Sequence, residues 1–356
     1  MENKRKIAIV TLYDNYNLGN RLQNYAVQEL LRRYASDVVT FGYKELPLIG
    51  WKAKLAMFLH VPGKAIDQKR KQKERYSRFR AFTERYIKTE PECSFADRVN
   101  HAVATDADVV VVGSDQVWHN WRNSEEELSY FFLEFVPEKK RVCLAPSFGF
   151  DSFSEEKKDH YVRGLQGFRH LSCREQSGCD LIKAETGRDA TLLIDPTMLL
   201  TTAEWDVIAK KPEYPVPERF LLLYFLGEKS PEAKEAISRF AAENALTVID
   251  IFDKDALEYY ATAPDEFVYL IKNATMICTD SFHGCVFSIL YKKEFRYFSR
   301  SGAMGAQMSN RQKTLLQKFG IFKEAGVCDY SAVEAILEDE RNKAKAYLEN
   351  ALSDTE

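Results

Sequence analysis

Short apolar runs alternate with helix-like segments through the first part of the chain. The runs cover residues 7–12, 38–41, 109–112 and 141–145. Between the first two runs, Leu22, Ala26 and Leu30 recur at every fourth position, which predicts an amphipathic helix. Continuous β-branched runs that alternate with helices are typical of a parallel sheet with both faces covered. The pattern therefore predicts an α/β fold.

The same pattern starts again after a proline cluster at Pro212, Pro215 and Pro217, which suits a linker. The later apolar runs cover residues 220–226, 246–251 and 276–279, with a further short strand at Tyr297. A second parallel sheet is therefore expected in this part of the chain.

Two such sheets predict two Rossmann-like domains in tandem, over residues 1–205 and 217–330. Residues 331–356 should form a last helix, and packing back on the first domain is one arrangement open to it. Tandem parallel-sheet domains place a ligand cleft between the carboxyl ends of their strands. We therefore expect an enzyme with its site in that cleft.

The balance of charge narrows the choice of partners. The 356 residues carry a formal net charge of −3, from 50 basic and 53 acidic residues. Such a balance gives no overall attraction to nucleic acid or to an anionic membrane. Residues 64–85 are a local exception, with nine basic and three acidic residues. This segment is either a patch for an anionic partner or membrane surface, or more simply a helix with a solvated basic face.

The seven cysteines include no Cys-x-x-Cys pair, so neither a disulfide framework nor a zinc site is indicated. The amino terminus lacks the long apolar core of a signal peptide. No run approaches the ~18 apolar residues of a membrane-spanning helix. We expect a cytoplasmic protein with reduced thiols, no metal site, no nucleic-acid partner and no integral membrane segment.

The turn after the first predicted strand is rich in polar residues. Gly19 permits close approach to the backbone, and the start of the next helix offers N–H groups. Asn17, Asn20 and Arg21 are candidates to bind sugar hydroxyls or phosphate, although asparagine is also a common helix cap. No Gly-x-Gly-x-x-Gly motif is present, so no dinucleotide-binding fingerprint is indicated.

A four-valine run ends at Gly113 and delivers Asp115, Gln116 and Trp118 to the carboxyl end of a buried strand. An acid, an amide and an indole are typical of a saccharide site. Aromatic faces stack on the C–H surfaces of sugars, and polar groups bind the hydroxyls. The alternative is that Asp115 stabilises the turn and Trp118 belongs to the core.

Further turns carry ionisable candidates. Arg174 follows a short apolar run, and its planar guanidinium suits a carboxylate or phosphate, or else an ion pair within the protein. His283 lies beside Ser281 where a strand ends and a helix begins, and there it can exchange protons or simply cap the helix. Arg300 and Arg311 follow the next strand and can supply positive charge, although exposed arginines are common in loops.

Taken in order, several fragments resemble the polysaccharide pyruvyl transferase family. They are residues 18–26 (LGNRLQNYA), 112–118 (VGSDQVW), 131–136 (FFLEFV), 147–149 (SFG), 173–175 (CRE), 195–197 (DPT) and 279–284 (TDSFHG). The resemblance implies a fold similar to the GT-B glycosyltransferases, with the acceptor on the first domain and the donor on the second. It also implies phosphoenolpyruvate as donor, no separate cofactor, and a sugar of an oligosaccharide or lipid-linked precursor as acceptor.

The resemblance implies that the protein acts in exopolysaccharide or capsule biosynthesis. A loose association of the protein with the inner face of the membrane is compatible with this role. His283 would be the general acid and base. The donor contacts would be Arg174, Ser281, Arg300 and Arg311, and the acceptor contacts Asn20, Asp115, Gln116 and Trp118. Some family members have an arginine where this chain has Ser281, so the donor's anionic groups must find other contacts here.

Three other functions stay open on the sequence. A nucleotide-sugar glycosyltransferase of the same architecture would bind a nucleoside diphosphate. A non-catalytic saccharide-binding or nucleotide-binding protein would bind its ligand without turnover. A membrane-associated partner protein would use the basic segment at residues 64–85.

Overall fold

The computed structural model describes residues 5–44, 63–91, 93–94, 97–103, 105–119, 124–299, 312, 314–321 and 328–353. Within these residues the chain forms two four-stranded sheets flanked by helices, and two short two-stranded sheets. Every strand pair in the two larger sheets is parallel. The predicted α/β class with two parallel sheets is confirmed.

The first sheet and its helices come from the first 206 residues. The elements in chain order are β1 (Lys6–Val10), α1 (Leu18–Leu31), β2 (Asp37–Thr40), β3 (Tyr43–Lys44), α2 (Gly63–Tyr86), β4 (Cys93–Ser94), α3 (Arg98–Val103), β5 (Val109–Val112), α4 (Glu125–Phe131), β6 (Arg141–Cys143), α5 (Lys158–Gln166), β7 (Ser172–Cys173), α6 (Gln176–Thr186), β8 (Thr191–Leu192), α7 (Pro196–Leu199) and α8 (Thr202–Asp206). The strand order of this sheet is β2-β1-β5-β6.

The second sheet repeats this topology. Its elements and the last helix are β9 (Phe220–Tyr224), α9 (Pro231–Glu243), β10 (Thr247–Asp250), α10 (Leu257–Tyr260), α11 (Pro264–Asn273), β11 (Met276–Thr279), α12 (Phe282–Leu290), β12 (Phe295–Tyr297) and α13 (Val333–Ser353). The strand order is β10-β9-β11-β12. In each sheet the order reverses direction beside the first strand, between β1 and β5 and between β9 and β11. Ligands of open α/β sheets bind at such reversals, beyond the carboxyl ends of the strands.

The four-valine strand β5 explains why the apolar runs are continuous. Val109 and Val111 belong to one core cluster, and Val110 and Val112 belong to another. Successive side chains of a strand point to opposite faces, so a strand covered on both faces must be apolar at every position. The loop that follows β5 therefore begins at the carboxyl edge of the sheet from a fully buried strand.

The two sheets share an apolar core around α8. The Trp205 ring centroid lies 5.5 Å from that of Tyr25 on α1 and 4.9 Å from that of Phe287 on α12. Trp205 is fully buried, and its indole N–H donates a hydrogen bond to the Thr197 carbonyl at 2.9 Å. This packing brings the starts of α1 and α12, one from each half of the chain, towards each other.

The basic helix α2 also joins the two halves. Arg75 is buried, and its guanidinium donates hydrogen bonds to the carbonyls of Tyr260 (2.6 Å) and Tyr16 (3.0 Å). Lys71 donates to the Lys254 carbonyl at 2.6 Å. Part of this helix's basic face is therefore internal, which neither the solvated-face nor the partner-patch interpretation of the sequence anticipates.

The last helix runs back along the first sheet. The Tyr347 hydroxyl donates a hydrogen bond to the Cys143 carbonyl at 2.7 Å, and the Arg5 guanidinium donates one to the Leu352 carbonyl at 2.7 Å. The domain limits inferred from the sequence, at residues 205, 217 and 330, stay predictions.

Candidate functional site

A cavity of about 510 Å³ lies where the strand-order reversals of the two sheets face each other. The loops after β1 and β5 form one wall, and the loop after β9 and the start of α12 form the other. Six of the residues predicted from the sequence line this cavity: Asn17, Asn20, Asp115, Gln116, Ser281 and His283. They come from three separate turns, which the parallel topology brings together.

Asp14 shapes the loop between β1 and α1. Its Oδ1 accepts hydrogen bonds from the backbone N–H groups of Tyr16 (3.0 Å) and Asn17 (2.8 Å), and the Asn20 amide donates to its Oδ2. Burial is the main cause that raises the pKa of Asp14 above its usual value. Asp14 and Asn20 both line the cavity, so this loop presents a fixed carboxyl and amide pair to a ligand.

The loop after β5 presents Asp115 and Gln116. The Gln116 backbone N–H donates to Asp115 Oδ1 at 2.9 Å. The Gln116 side chain is almost fully buried, and within the described part of the chain its Nε2 has no hydrogen-bond partner. An unsatisfied buried donor costs about 1–3 kcal/mol, and an oxygen atom of a ligand would offset that cost. Gln116 therefore marks a position for a hydrogen-bond acceptor in the cavity.

The second wall is the turn from β11 into α12. Ser281 is the N-cap of α12, where its Oγ accepts a hydrogen bond from the Gly284 N–H at 3.4 Å. Asp280 points away from the ligand space, because its two oxygens accept hydrogen bonds from the backbone of residues 226–227 at 2.7 and 2.8 Å. A Cβ at Gly284 would lie 2.2 Å from Thr279 Oγ1, so glycine lets the helix pack on its own strand.

His283 is held between the two halves of the chain. A Cβ built on Gly19 would lie 2.1 Å from His283 Nδ1, so only glycine at the start of α1 leaves room for the ring. On the other side, His283 Nε2 lies 3.8 Å from Asp195 Oδ2. The imidazole borders the cavity and is 7% exposed. The backbone of α1 therefore limits the position of the ring on one side, and on the other a buried carboxylate lies within ion-pair distance of Nε2 but beyond hydrogen-bond distance.

Two helices, α1 and α12, begin at this cavity. Asn17 caps the first, accepting a hydrogen bond from the Gly19 N–H at 2.9 Å, and Ser281 caps the second. The N-terminus of a helix carries partial positive charge and favours an anion. The described lining residues include no lysine or arginine, and Asp14, Asp115 and Glu127 contribute carboxyl groups, so the two helix ends are the feature of this lining that favours an anion.

Arg174 lies beneath this cavity rather than in its lining. Its Nη1 donates to Asp195 Oδ2 at 2.5 Å and its Nη2 to Asp115 Oδ1 at 3.1 Å. Burial opposes the charge, but the two carboxylates raise the pKa of Arg174 above its usual value. The guanidinium is thus engaged by the protein's own acids, as the ion-pair alternative describes, and a contact between Arg174 and the donor stays a prediction. Removing it would leave two buried carboxylates uncompensated, at a cost of about 3–5 kcal/mol.

Trp118 belongs to the core of the first half. It is fully buried, and its ring centroid lies 5.5 Å from that of Phe132 and 5.2 Å from that of Phe148. Its indole N–H donates a hydrogen bond to the Phe131 carbonyl at 3.2 Å. In this structure the ring cannot stack on a sugar in the cavity, and the core alternative describes it.

The remaining predicted donor residues, Arg300 and Arg311, lie outside the described residues, and their role stays a prediction. Several lining residues were not singled out by the sequence, among them Tyr13, Asp14, His119, Glu127 and Gln312. Asp14 could have been found from its Asp-x-x-Asn spacing to a helix cap. Glu127 lies on α4, far from any strand end, and its Ser-x-x-Glu spacing to the helix cap Ser124 indicates a helix start but no ligand contact.

Among the described residues, no group of three or more His, Cys, Asp and Glu side chains is arranged to hold a metal ion. None of the described helices combines the length and the apolar character needed to cross a membrane.

Two parallel sheets with a shared cleft define a GT-B-like fold, and solved structures of that fold are similar to this chain. A Listeria monocytogenes protein described as a UDP-N-acetylglucosamine 2-epimerase matches with a TM-score of 0.50 at 11% identity, over 99% of this chain and 90% of its own. The UDP-N-acetylglucosamine 2-epimerase of Rickettsia bellii gives 0.46 at 11%, over 98% of both chains. The glycosyltransferase SnogD of Streptomyces nogalater gives 0.38 at 10%, over 99% and 98%. At such identities the likeness concerns the fold alone.

The family follows from the sequence match rather than from the fold. The profile of the polysaccharide pyruvyl transferase family matches residues 17–302. This range contains all the lining residues of the cavity except Leu12, Tyr13, Asp14 and Gln312. This chain belongs to that family. No curated protein matches it in sequence.

Proposed function

We propose that this protein transfers the enolpyruvyl group of phosphoenolpyruvate onto two hydroxyls of a sugar and forms a pyruvyl ketal in surface polysaccharide biosynthesis. Membership of the family supports a transferase of this kind. The observation that carries the proposal is the position of His283. It borders a cavity at which two helix N-termini converge, so a proton donor stands beside a place that favours an anion.

The chemistry needs an acid, an anion site and two neighbouring hydroxyls. A proton is added to the methylene carbon of phosphoenolpyruvate, and positive charge develops at its central carbon. One sugar hydroxyl attacks that carbon and the C–O bond to phosphate breaks. The second hydroxyl then closes the ketal. One of the two hydroxyl protons replaces the proton that the acid gave, and the other leaves with the phosphate.

His283 is the group that we assign to this proton transfer. It is the histidine at the donor-side wall, with Gly19 packed against its Nδ1 side and the Asp195 carboxylate 3.8 Å from its Nε2. Ser281 and the first N–H groups of α12 would bind the phosphate or carboxylate of the donor. Arg300 and Arg311 stay the predicted sources of further positive charge, since Arg174 is engaged by Asp115 and Asp195.

The opposite wall suits a polyhydroxyl acceptor. Asn20, Asp115 and Gln116 offer amide donors and carboxylate acceptors there, and the unsatisfied Gln116 Nε2 requires an oxygen partner. Holding both reactants in register would supply much of the rate acceleration. A cytoplasmic location, with loose association to a membrane that carries a lipid-linked acceptor, belongs to this proposal.

A thermal-shift titration tests the donor. Phosphoenolpyruvate should raise the melting temperature saturably, because a ligand that binds the folded state stabilises it by about 2.7 kcal/mol at a hundredfold excess over Kd. UDP and GDP, titrated in parallel, should give no saturable shift. A shift with a nucleoside diphosphate alone would contradict the proposal and favour a nucleotide-sugar glycosyltransferase.

A further inference from the structure

We propose that Asp195, anchored by Arg174, is the positioning residue that orients His283 and favours its protonated form. The use of this proton in catalysis rests on the proposed function. The ion pair between Asp195 and His283 does not rest on it, so the pair can be tested without knowing the donor or the acceptor.

Asp195 is fixed through both of its oxygens. Its Oδ1 accepts hydrogen bonds from the Thr197 backbone N–H at 3.0 Å and from the Thr197 hydroxyl at 2.6 Å. Its Oδ2 accepts from Arg174 Nη1 at 2.5 Å and lies 3.8 Å from His283 Nε2. The residue is 1% exposed. Its carboxylate therefore cannot turn away from the imidazole without breaking hydrogen bonds.

The Asp195 side chain is ionised in this setting. Burial alone would raise the pKa of Asp195, but Arg174, His283 and the Thr197 hydrogen bonds together bring it below its usual value. Charge interactions are mutual, so a carboxylate that gains from a protonated imidazole stabilises that imidazolium by the same free energy.

Other charges surround the imidazole. The start of α1, with its partial positive charge, faces His283 Nδ1 through Gly19 and opposes protonation. Arg174 also opposes it, from behind Asp195. The cavity contributes the carboxyl groups of Asp14, Asp115 and Glu127 and the imidazole of His119, and Asp280 on the same turn is bound to the backbone of residues 226–227. Among the described residues, the buried carboxylate of Asp195 lies 3.8 Å from His283 Nε2.

Arg174 gives the arrangement its rigidity. Its two Nη atoms hold Asp195 behind the histidine and Asp115 in the acceptor wall. The forked guanidinium gives each carboxylate its own Nη donor in one rigid plane, a geometry that the ammonium group of a lysine does not have. The proton donor and the acceptor wall therefore share one anchor, and their spacing is set by a single buried side chain.

The matched pair Asp195→Asn and Asp115→Asn tests this inference. Each variant removes one carboxylate from the same arginine, but only the first removes the group beside His283. In an NMR titration of labelled histidine rings, with His283 assigned by loss of its signal in His283→Gln, Asp195→Asn should lower the titration midpoint of His283 by about one pH unit or more. Asp115→Asn should lower it by less than half as much. An unchanged midpoint in Asp195→Asn, or equal shifts in the two variants, would overturn the inference.

The unaltered protein supplies a second measurement that does not depend on whether Asp195→Asn folds. His160 is buried to the same 7% and lies 3.5 Å from Glu134, yet burial lowers the pKa of His160 below its usual value. Because Asp195 is more deeply buried than Glu134, His283 should titrate at a higher pH than His160 in the same sample. A midpoint for His283 at or below that of His160 contradicts the inference. Both readouts are independent of phosphoenolpyruvate, so they stand even if the proposed donor is wrong.

Discussion

The variant His283→Gln should lower turnover of phosphoenolpyruvate by about 10²–10⁴-fold, because glutamine keeps the size and hydrogen bonding of the side chain but cannot transfer a proton near neutral pH. Binding of the donor should persist, since the anion site is built from helix N-termini that the substitution leaves in place. Initial rates at saturating donor, together with the thermal shift on donor binding, separate the two effects.

His160→Gln is the matched control for this variant. His160 is equally buried, but it contacts Ser129 Oγ at 3.3 Å and the Glu134 carboxylate, outside the cavity lining. A folded His160→Gln protein should keep near-normal turnover. A folded His283→Gln protein with near-normal turnover would remove His283 from the chemistry.

The second large effect is expected at Gly19. An alanine Cβ there would lie 2.1 Å from His283 Nδ1, so the ring or the start of α1 must move. Such overpacking costs about 1–3 kcal/mol in the free energy of unfolding. A displacement of about 1 Å at a reacting group costs roughly 100-fold in rate. Gly19→Ala should therefore lose stability and turnover together.

A double-mutant cycle with His283→Ala isolates the cause. In that background the imidazole is gone, and alanine favours a helix over glycine by up to about 1 kcal/mol. Gly19→Ala should then be neutral or stabilising in chemical denaturation, whereas it is destabilising in the unaltered protein. The same loss of stability in both backgrounds would mean that the close contact between Gly19 and His283 does not limit this position.

The strands and the turns of the site could be predicted because both are local. The apolar runs at residues 109–112 and 276–279 coincide with β5 and β11. The topology of parallel sheets then requires the turns that carry Asp115 and His283 to meet at one edge of each sheet. Six predicted residues line one cavity for this reason.

The sequence could not decide between the two interpretations of Arg174 and of Trp118, because the outcome depends on partners distant in sequence. Asp115 and Asp195 lie 59 and 21 residues from Arg174, and no local spacing shows that both carboxylates engage its guanidinium. The indole of Trp118 is enclosed by Phe132 and Phe148, which come from other turns. The basic helix α2 differs from expectation in the same way, since the carbonyl partners of Arg75 lie on α10 and in the loop before α1.

The most direct test of pyruvyl transfer is turnover with carbon-labelled phosphoenolpyruvate and a panel of oligosaccharide acceptors, followed by NMR and by phosphate release. The expected result is a labelled ketal carbon bonded to two sugar oxygens, one phosphate released per ketal, and loss of both signals in His283→Gln. Phosphoenolpyruvate left intact beside every acceptor, with transfer of a sugar from a nucleotide donor by the same protein, would contradict the proposed function.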